Sequence, residues 1–301
     1  MNKALRRLLA HRSARWSLAT IATLIIAATI GPMLVPYECH TQLDIVRLQN
    51  QPPSWAHPFG TDQFSRDVLA RLLCGARISL AVGTLAVAMS MTIGTVYGLV
   101  AGYAGGRVDG AMMRVLDAFL SIPRVMLVIA VLTLWDSVSL AGMIVLLGTT
   151  GWFGVSRLVR AETLAVKRMD YIEAARALGT PTSRILSRHI LPNVIAPVIV
   201  AATLAVGSVI ALEAGLSFLG AGVREPDASW GSMFLAGVSF STSTWWILFF
   251  PGIAIVGTVL AFNVLGDALR DVLDPRQLHA PIMTVASSVA APIAPERLEN
   301  G

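Results

Sequence analysis

The 301-residue chain is 55% hydrophobic and only 14% charged. An ordinary soluble domain carries roughly 25% charged residues, so this composition excludes a pair of ordinary soluble domains. The mean hydropathy of +0.68, the net charge of +5 and the pI near 9.8 fit a membrane protein with basic cytoplasmic loops and call for no nucleic-acid partner.

Residues 1–15 alternate basic and apolar side chains at helical spacing, which predicts a cytoplasmic amphipathic helix on the inner leaflet or a merely basic flank. Trp16 to Pro36 is uncharged and long enough for a first crossing, because about 20 apolar residues span the hydrocarbon core. It has no clear small-residue cleavage site, so no cleaved signal peptide is expected. Residues 37–77 form an outer loop that holds both cysteines, Cys39 and Cys74. Their spacing fits no metal or redox motif, and a disulfide between them is one of two open outcomes.

Residues 78–276 are expected to form a five-helix core. Its crossings lie in Ile78 to Gly106, Met112 to Leu134 with Pro123 as a kink, Val138 to Ser156, Val194 to Ala214, and from about Trp245 within Ala228 to Gly266. Gly94, Gly98, Gly102 and Gly106 recur every fourth residue and predict one close-packing helix face. The tail from Gln277 to Gly301 shows no periodicity and reads as disordered. Of the 23 Lys and Arg residues, only Arg47, Arg66, Arg71, Arg77 and Arg224 fall in outer segments. All others except Arg124 fall in inner ones, which places both termini in the cytoplasm.

Several chemistries are missing. The only lysines, Lys3 and Lys167, do not follow glycine, so no phosphate-binding GxxxxGK[ST] loop exists. There is no HExxH and no GxSxG, and the histidines are scattered. Charges near membrane depth are confined to Asp117, Arg124, Asp136 and Glu213, fewer than an ion-coupled carrier places in its helices. Glu213 reads as a hydrogen-bonded carboxyl that holds helices together or as a functional group. A secondary carrier and a membrane scaffold are the rival readings. A tightly bound pair of ATPases after purification would discriminate against both.

The inner segment 161–192 is the informative one. Asp170 is expected to cap a helix of about eight residues, with Glu173 completing a capping box. Gly179 stands where a left-handed residue ends a helix, and Pro181 follows. This run, EAARALG, followed after nine residues by His189-Ile190-Leu191-Pro192, closely resembles the EAA loop of permeases of ATP-binding-cassette importers. An aliphatic residue usually stands where His189 is. More of the chain, from residue 57 to 276, resembles the dipeptide, oligopeptide and nickel permease family. His57-Pro58-Phe59-Gly60-Thr61-Asp62 and Arg66-Asp67-Val68-Leu69 carry the likeness, with Ser65 where that family usually has glycine. Gly105-Gly106-Arg107-Val108-Asp109, Leu216-Ser217-Phe218-Leu219-Gly220 and Asn263-Val264-Leu265-Gly266-Asp267 continue it in order.

The resemblance implies an all-α permease of six transmembrane helices, of the C type, in a bacterial or archaeal cell membrane. Its implied partners are a second, dissimilar permease subunit, two ATP-binding-cassette ATPases, an extracytoplasmic solute-binding protein and membrane lipid. ATP would be bound by the partners, so no cofactor and no catalytic residue is expected in this chain. Glu173, Ala174, Ala175 and Gly179 are implied to dock the ATPase, with Leu178, Ile190 and Pro192 supporting the loop. Peptides are the implied solute. Nickel, glutathione and oligosaccharides are alternatives.

Overall fold

The computed structural model describes residues 2–135, 138–223, 227–238 and 242–273, with the backbone alone for residues 2–5 and 242. The tail 277–301, Asp136 and Arg224 lie outside the described residues. Everything described is helical apart from connecting segments, with one isolated antiparallel bridge between Thr61 and Asp67.

The chain starts with α1 (Asn2–Ala10) and α2 (Arg12–Thr29). Leu8 and Ala14 are buried with Ala268 near the chain's far end. Pro32 has no N–H to give the Ala28 carbonyl, and α2 stops short of it. The freed carbonyls of Ala28 and Thr29 accept instead from the Arg77 guanidinium, at 2.5 and 2.7 Å. That cation also suits the negative end of the helix dipole. The short α3 (Gly31–Leu34) follows.

The loop expected on the outer side follows and forms a lobe, with α4 (Ile45–Leu48) near its start. The disulfide left open by the sequence is present, joining Cys39 to Cys74 across a Cα–Cα distance of 6.3 Å. Asp62 collects the lobe's charge: its carboxylate pairs with Arg66 at 2.7 Å and with Arg71 at 3.7 Å, all three buried. Asp67 accepts from the Ala70 backbone at 2.8 Å, capping the next helix, and its other oxygen meets His57 Nδ1 at 2.9 Å. Ser65 lies at φ +59°, a left-handed conformation that glycine adopts at less cost.

Helix α5 (Val68–Ala104) therefore begins ten residues before the uncharged run that announced it. After a turn come α6 (Gly106–Leu120) and α7 (Arg124–Thr133), which bend by 71° across the break at Pro123, then α8 (Leu140–Lys167). The expected third crossing is thus two helices rather than a kinked one. The glycine face packs α5 against α8. A Cβ on Gly94 would lie 2.7 Å from Val155, one on Gly98 2.5 Å from the Ser156 carbonyl, and one on Gly102 2.8 Å from Thr163. The partners advance in the same order as the glycines, so the two helices run parallel. Gly106 does not join them: it opens α6 at φ +54° with open space around it. It is a turn residue, not a packing residue.

A small helix, α9 (Asp170–Ala177), and a one-turn α10 (Thr182–Ile185) lead through a π-helical turn (Leu186–Ile190) into α11 (Leu191–Phe218). The uncharged stretch beyond holds two helices instead of the single expected one, α12 (Trp230–Val238) and α13 (Trp245–Leu273). Helix α12 is wedged in place: Trp230 donates from its ring to the Leu72 carbonyl at 3.0 Å, and Gly231 sits against Ala214. The main apolar core joins α2, α5, α7, α8, α11 and α12.

Among the described residues, four helical runs are long and apolar enough to cross a membrane: α5, α8, Thr182–Phe218 and α13. The bent α6–α7 pair makes a fifth if it counts as one crossing. Helix α2 does not reach that mark, because its 18 residues include Arg12 and Arg15 and end before the apolar stretch does.

Candidate functional site

Helix α9 departs from the end of α8 with little slack. The Arg168 and Met169 N–H groups still bond back to Ala165 and Val166. Met169 takes the extended conformation of an N-cap, so Asp170 is the first helical residue and no side chain caps this end. The expected capping box is therefore not formed, because an N-cap side chain works only from a non-helical residue. Asp170 and Glu173 still lie in the first turn, where negative charge suits the helix dipole.

The other end matches its expectation. Leu178 is the C-cap and Gly179 follows at φ +75°. The Gly179 N–H bonds to the Arg176 carbonyl at 2.9 Å and the Thr180 N–H to the Ala175 carbonyl at 3.0 Å. This pair of reversed bonds is a Schellman motif, which satisfies two carbonyls that the helix leaves unbonded.

One apolar side chain anchors the helix. Ile172 is 0% exposed and packs with Leu99, Val155, Val159, Val166, Ile185, Ile190 and Val194. Of the seven residues singled out from the sequence, only Ile190 belongs to this apolar group. Glu173, Ala174 and Gly179 are exposed and Ala175 is half-buried. Together they form the outward face of α9. Leu178 was expected to support the loop, but it is 86% exposed. At the C-cap the chain reverses and leaves no neighbouring face to receive it. Pro192 is exposed as well, and it follows directly on the π-helical turn Leu186–Ile190 that opens α11. The sequence reading missed Ile172, although it is the one large aliphatic residue among Asp170–Ala177. It also missed Tyr103 and Arg176, which meet only in three dimensions: the guanidinium lies 5.0 Å from the ring centroid.

Glu213 lies apart from this loop. Its buried carboxylate accepts from Ser217 Oγ at 2.7 Å, and Ser229 Oγ stands 3.5 Å beyond. It tethers its own helix to the segment before α12. No group of His, Cys, Asp and Glu among the described residues is arranged to hold a metal.

Comparison with known proteins points one way. Residues 94–279 match the model of the binding-protein-dependent transport system inner membrane component. Residues 1–53 match the N-terminal TM domain of oligopeptide transport permease C. The chain is 43% identical over 274 residues to the dipeptide transport system permease protein DppC of Bacillus subtilis (strain 168), covering 91% of this chain and 85% of that one. It is 39% identical to the oligopeptide transport system permease protein OppC of the same organism, over 91% and 88%. It is 41% identical to the glutathione transport system permease protein GsiD of Pectobacterium atrosepticum, over 85% and 84%. Among solved structures, inward-facing MetNI methionine ABC transporter contains a chain with TM-score 0.56 at 21% identity, over 67% of this chain and 96% of that one. That likeness is one of fold.

Proposed function

The chain belongs to the family of binding-protein-dependent transport system inner membrane components, and from that premise we propose that it is one permease subunit of an ATP-driven peptide importer. It forms half of the translocation pathway. The other half is a second, dissimilar permease. Two ATP-binding-cassette subunits lie beneath the pair, and an extracytoplasmic binding protein delivers the solute. ATP binds one state of the assembly better than the other, and the difference reaches the pore through a contact between subunits. The observation that carries this reading is α9, a short helix held from behind by Ile172 with Glu173, Ala174, Ala175, Leu178 and Gly179 facing outward.

On this reading α2 with α3 is the sixth crossing, and both termini are cytoplasmic. The arginine distribution supports that orientation. So does the disulfide, because such bonds persist on the oxidising side of a membrane. Of the outer arginines, Arg66 and Arg71 are paired with Asp62 and Arg77 caps α2, which reduces the positive charge left to oppose the orientation. Peptide import fits DppC and OppC, and glutathione import fits GsiD.

Two experiments test the proposal. Val46 is 92% exposed on the outer lobe, so a cysteine introduced there should react with an impermeant reagent in intact cells. Labelling only after permeabilisation would overturn the orientation. The chain should also co-purify with two ATPase subunits and import radiolabelled di- to pentapeptides or glutathione from a panel. A chain that purifies alone and carries solute without ATP would point to a secondary carrier.

A further inference from the structure

The residues that hold α9 against the membrane helices converge on Tyr103. It stands in the last turn of α5, half-buried and packed against the apolar group that receives Ile172. Its ring has two cations over it: the Arg176 guanidinium of α9 at 5.0 Å and the Lys167 ammonium, from the end of α8, at 5.3 Å. The same ammonium donates to the Tyr103 carbonyl. Like charges approach one another only where something between them is negative. Here the π-face and the carbonyl end of α5 supply that potential.

The backbone just beyond Tyr103 gives the contact its meaning. After Ala104 the chain passes through Gly105 and Gly106, at φ +68° and +54°, and a Cβ on Gly106 would meet nothing within 4 Å. This is a joint between two rigid elements. On one side, α5 is locked to α8 by the glycine seam. On the other, α6 is the inner half of the bent crossing. Its Asp109 is held by Arg160 of α8 through bonds of 2.5 and 2.6 Å. The ring of Tyr103 is thus the place where α9 touches the helix end that leads into the joint.

We propose that Tyr103 is a positioning residue that transmits displacement of α9 to the Gly105–Gly106 joint, so that α6 follows the docking helix. The inference rests on the reading of α9 as the ATPase-docking element and adds the route by which its movement reaches the pore. The ring face is the working part, and the hydroxyl is not needed.

The test uses the whole assembly in proteoliposomes: this chain, its permease partner, both ATPases and the binding protein. Tyr103→Phe keeps the π-face and should behave as wild type. Tyr103→Leu keeps apolar packing and the backbone carbonyl but removes the face. It should retain its ATPases and its basal ATP hydrolysis. Hydrolysis stimulated by the binding protein, and uptake of radiolabelled di- to penta-alanine, should each fall about tenfold. The Tyr103→Leu/Arg176→Gln double variant should lose no more than the worse single one. Wild-type stimulation and uptake in Tyr103→Leu would overturn the role of Tyr103, as would losses that add in the double variant. A merely structural residue would instead lower abundance, basal and stimulated hydrolysis together, and that pattern also overturns it. If Tyr103→Leu cannot be isolated, Arg176→Gln decides, because unchanged stimulation there removes the proposed contact. A wild-type assembly that fails to couple ATP to uptake would refute the import reading itself, and is told apart by needing no variant at all.

Discussion

On the proposed orientation, the outer lobe at residues 37–67 and the inner loop at 168–190 are both connectors, yet they are built under opposite rules. The lobe turns its chemistry inward. Asp62, Arg66, Asp67, Arg71 and His57 are buried, each bonded within the lobe or to the helix start below it, and a disulfide ties its first turn to α5. Trp246 from the last helix donates to the Thr61 carbonyl at 3.1 Å, and Phe250 stacks on Phe59 at 3.9 Å. The inner loop turns its chemistry outward. One aliphatic side chain anchors it, while its acids, its small residues and an exposed leucine face away from the protein. A segment that must hold its shape pairs its buried charges locally. A segment proposed to be gripped by another molecule leaves its surface unfilled.

Substitutions can break that contrast, and the largest effect belongs to the lobe. Asp62→Ala leaves two buried guanidinium groups short of their counter-charge and should destabilise the protein by about 4 kcal/mol. Thermal unfolding in detergent should show it, with the inner loop still able to hold ATPase in the molecules that survive. Ile172→Ala removes the apolar anchor of α9 at a cost of about 3 kcal/mol. Because the anchor is local, the expected result is weakened ATPase retention with the Cys39–Cys74 bond intact, read by pull-down beside a thiol-blocking assay. An unstable lobe in that variant would show that the two regions are not independent.

Gly179→Val comes next. Valine at φ +75° stores about 2 kcal/mol of backbone strain and opens the Schellman turn. Open space surrounds the position, so the effect is conformational and not steric. Import at matched membrane abundance should fall while insertion stays normal, and wild-type import would remove the main support for the loop's role. Leu178→Ala should change stability least, by about 0.5 kcal/mol or less, since the side chain is 86% exposed. ATPase retention should nevertheless drop. A fall in stability without a fall in retention would return Leu178 to the supporting role first expected of it.

Length and charge alone revealed the main apolar runs, because a membrane helix needs nothing subtler than an uncharged stretch. They failed where a charge is answered from afar. Arg71 and Arg77 interrupt the start of α5 in sequence, but one is paired with Asp62 and the other caps α2. Helix α12 was hidden because no charge separates it from α13. At the site, Gly179 was legible because a left-handed cap is a local requirement. The capping box at Asp170 was misjudged because Met169, on leaving α8, had already taken the extended conformation. Ile172 was within reach of a pattern argument. Tyr103 was not, since the two cations over its ring come from residues more than sixty positions along the chain.

The parallel seam between α5 and α8 has a consequence for how the protein is made. Gly94, Gly98 and Gly102 cannot meet Val155, Val159 and Thr163 until the chain has turned back through α6 and α7 and set out again. At roughly 5–20 residues per second, the about sixty intervening residues take on the order of 3–12 s to synthesise. Throughout that interval a nascent helix sits in lipid with a row of bare backbone on one side, and any other helix with small residues can occupy it. Correct assembly therefore depends on the timely arrival of α8, so slowing synthesis between residues 106 and 155 should favour mispaired, protease-sensitive chains without any change in amino-acid sequence.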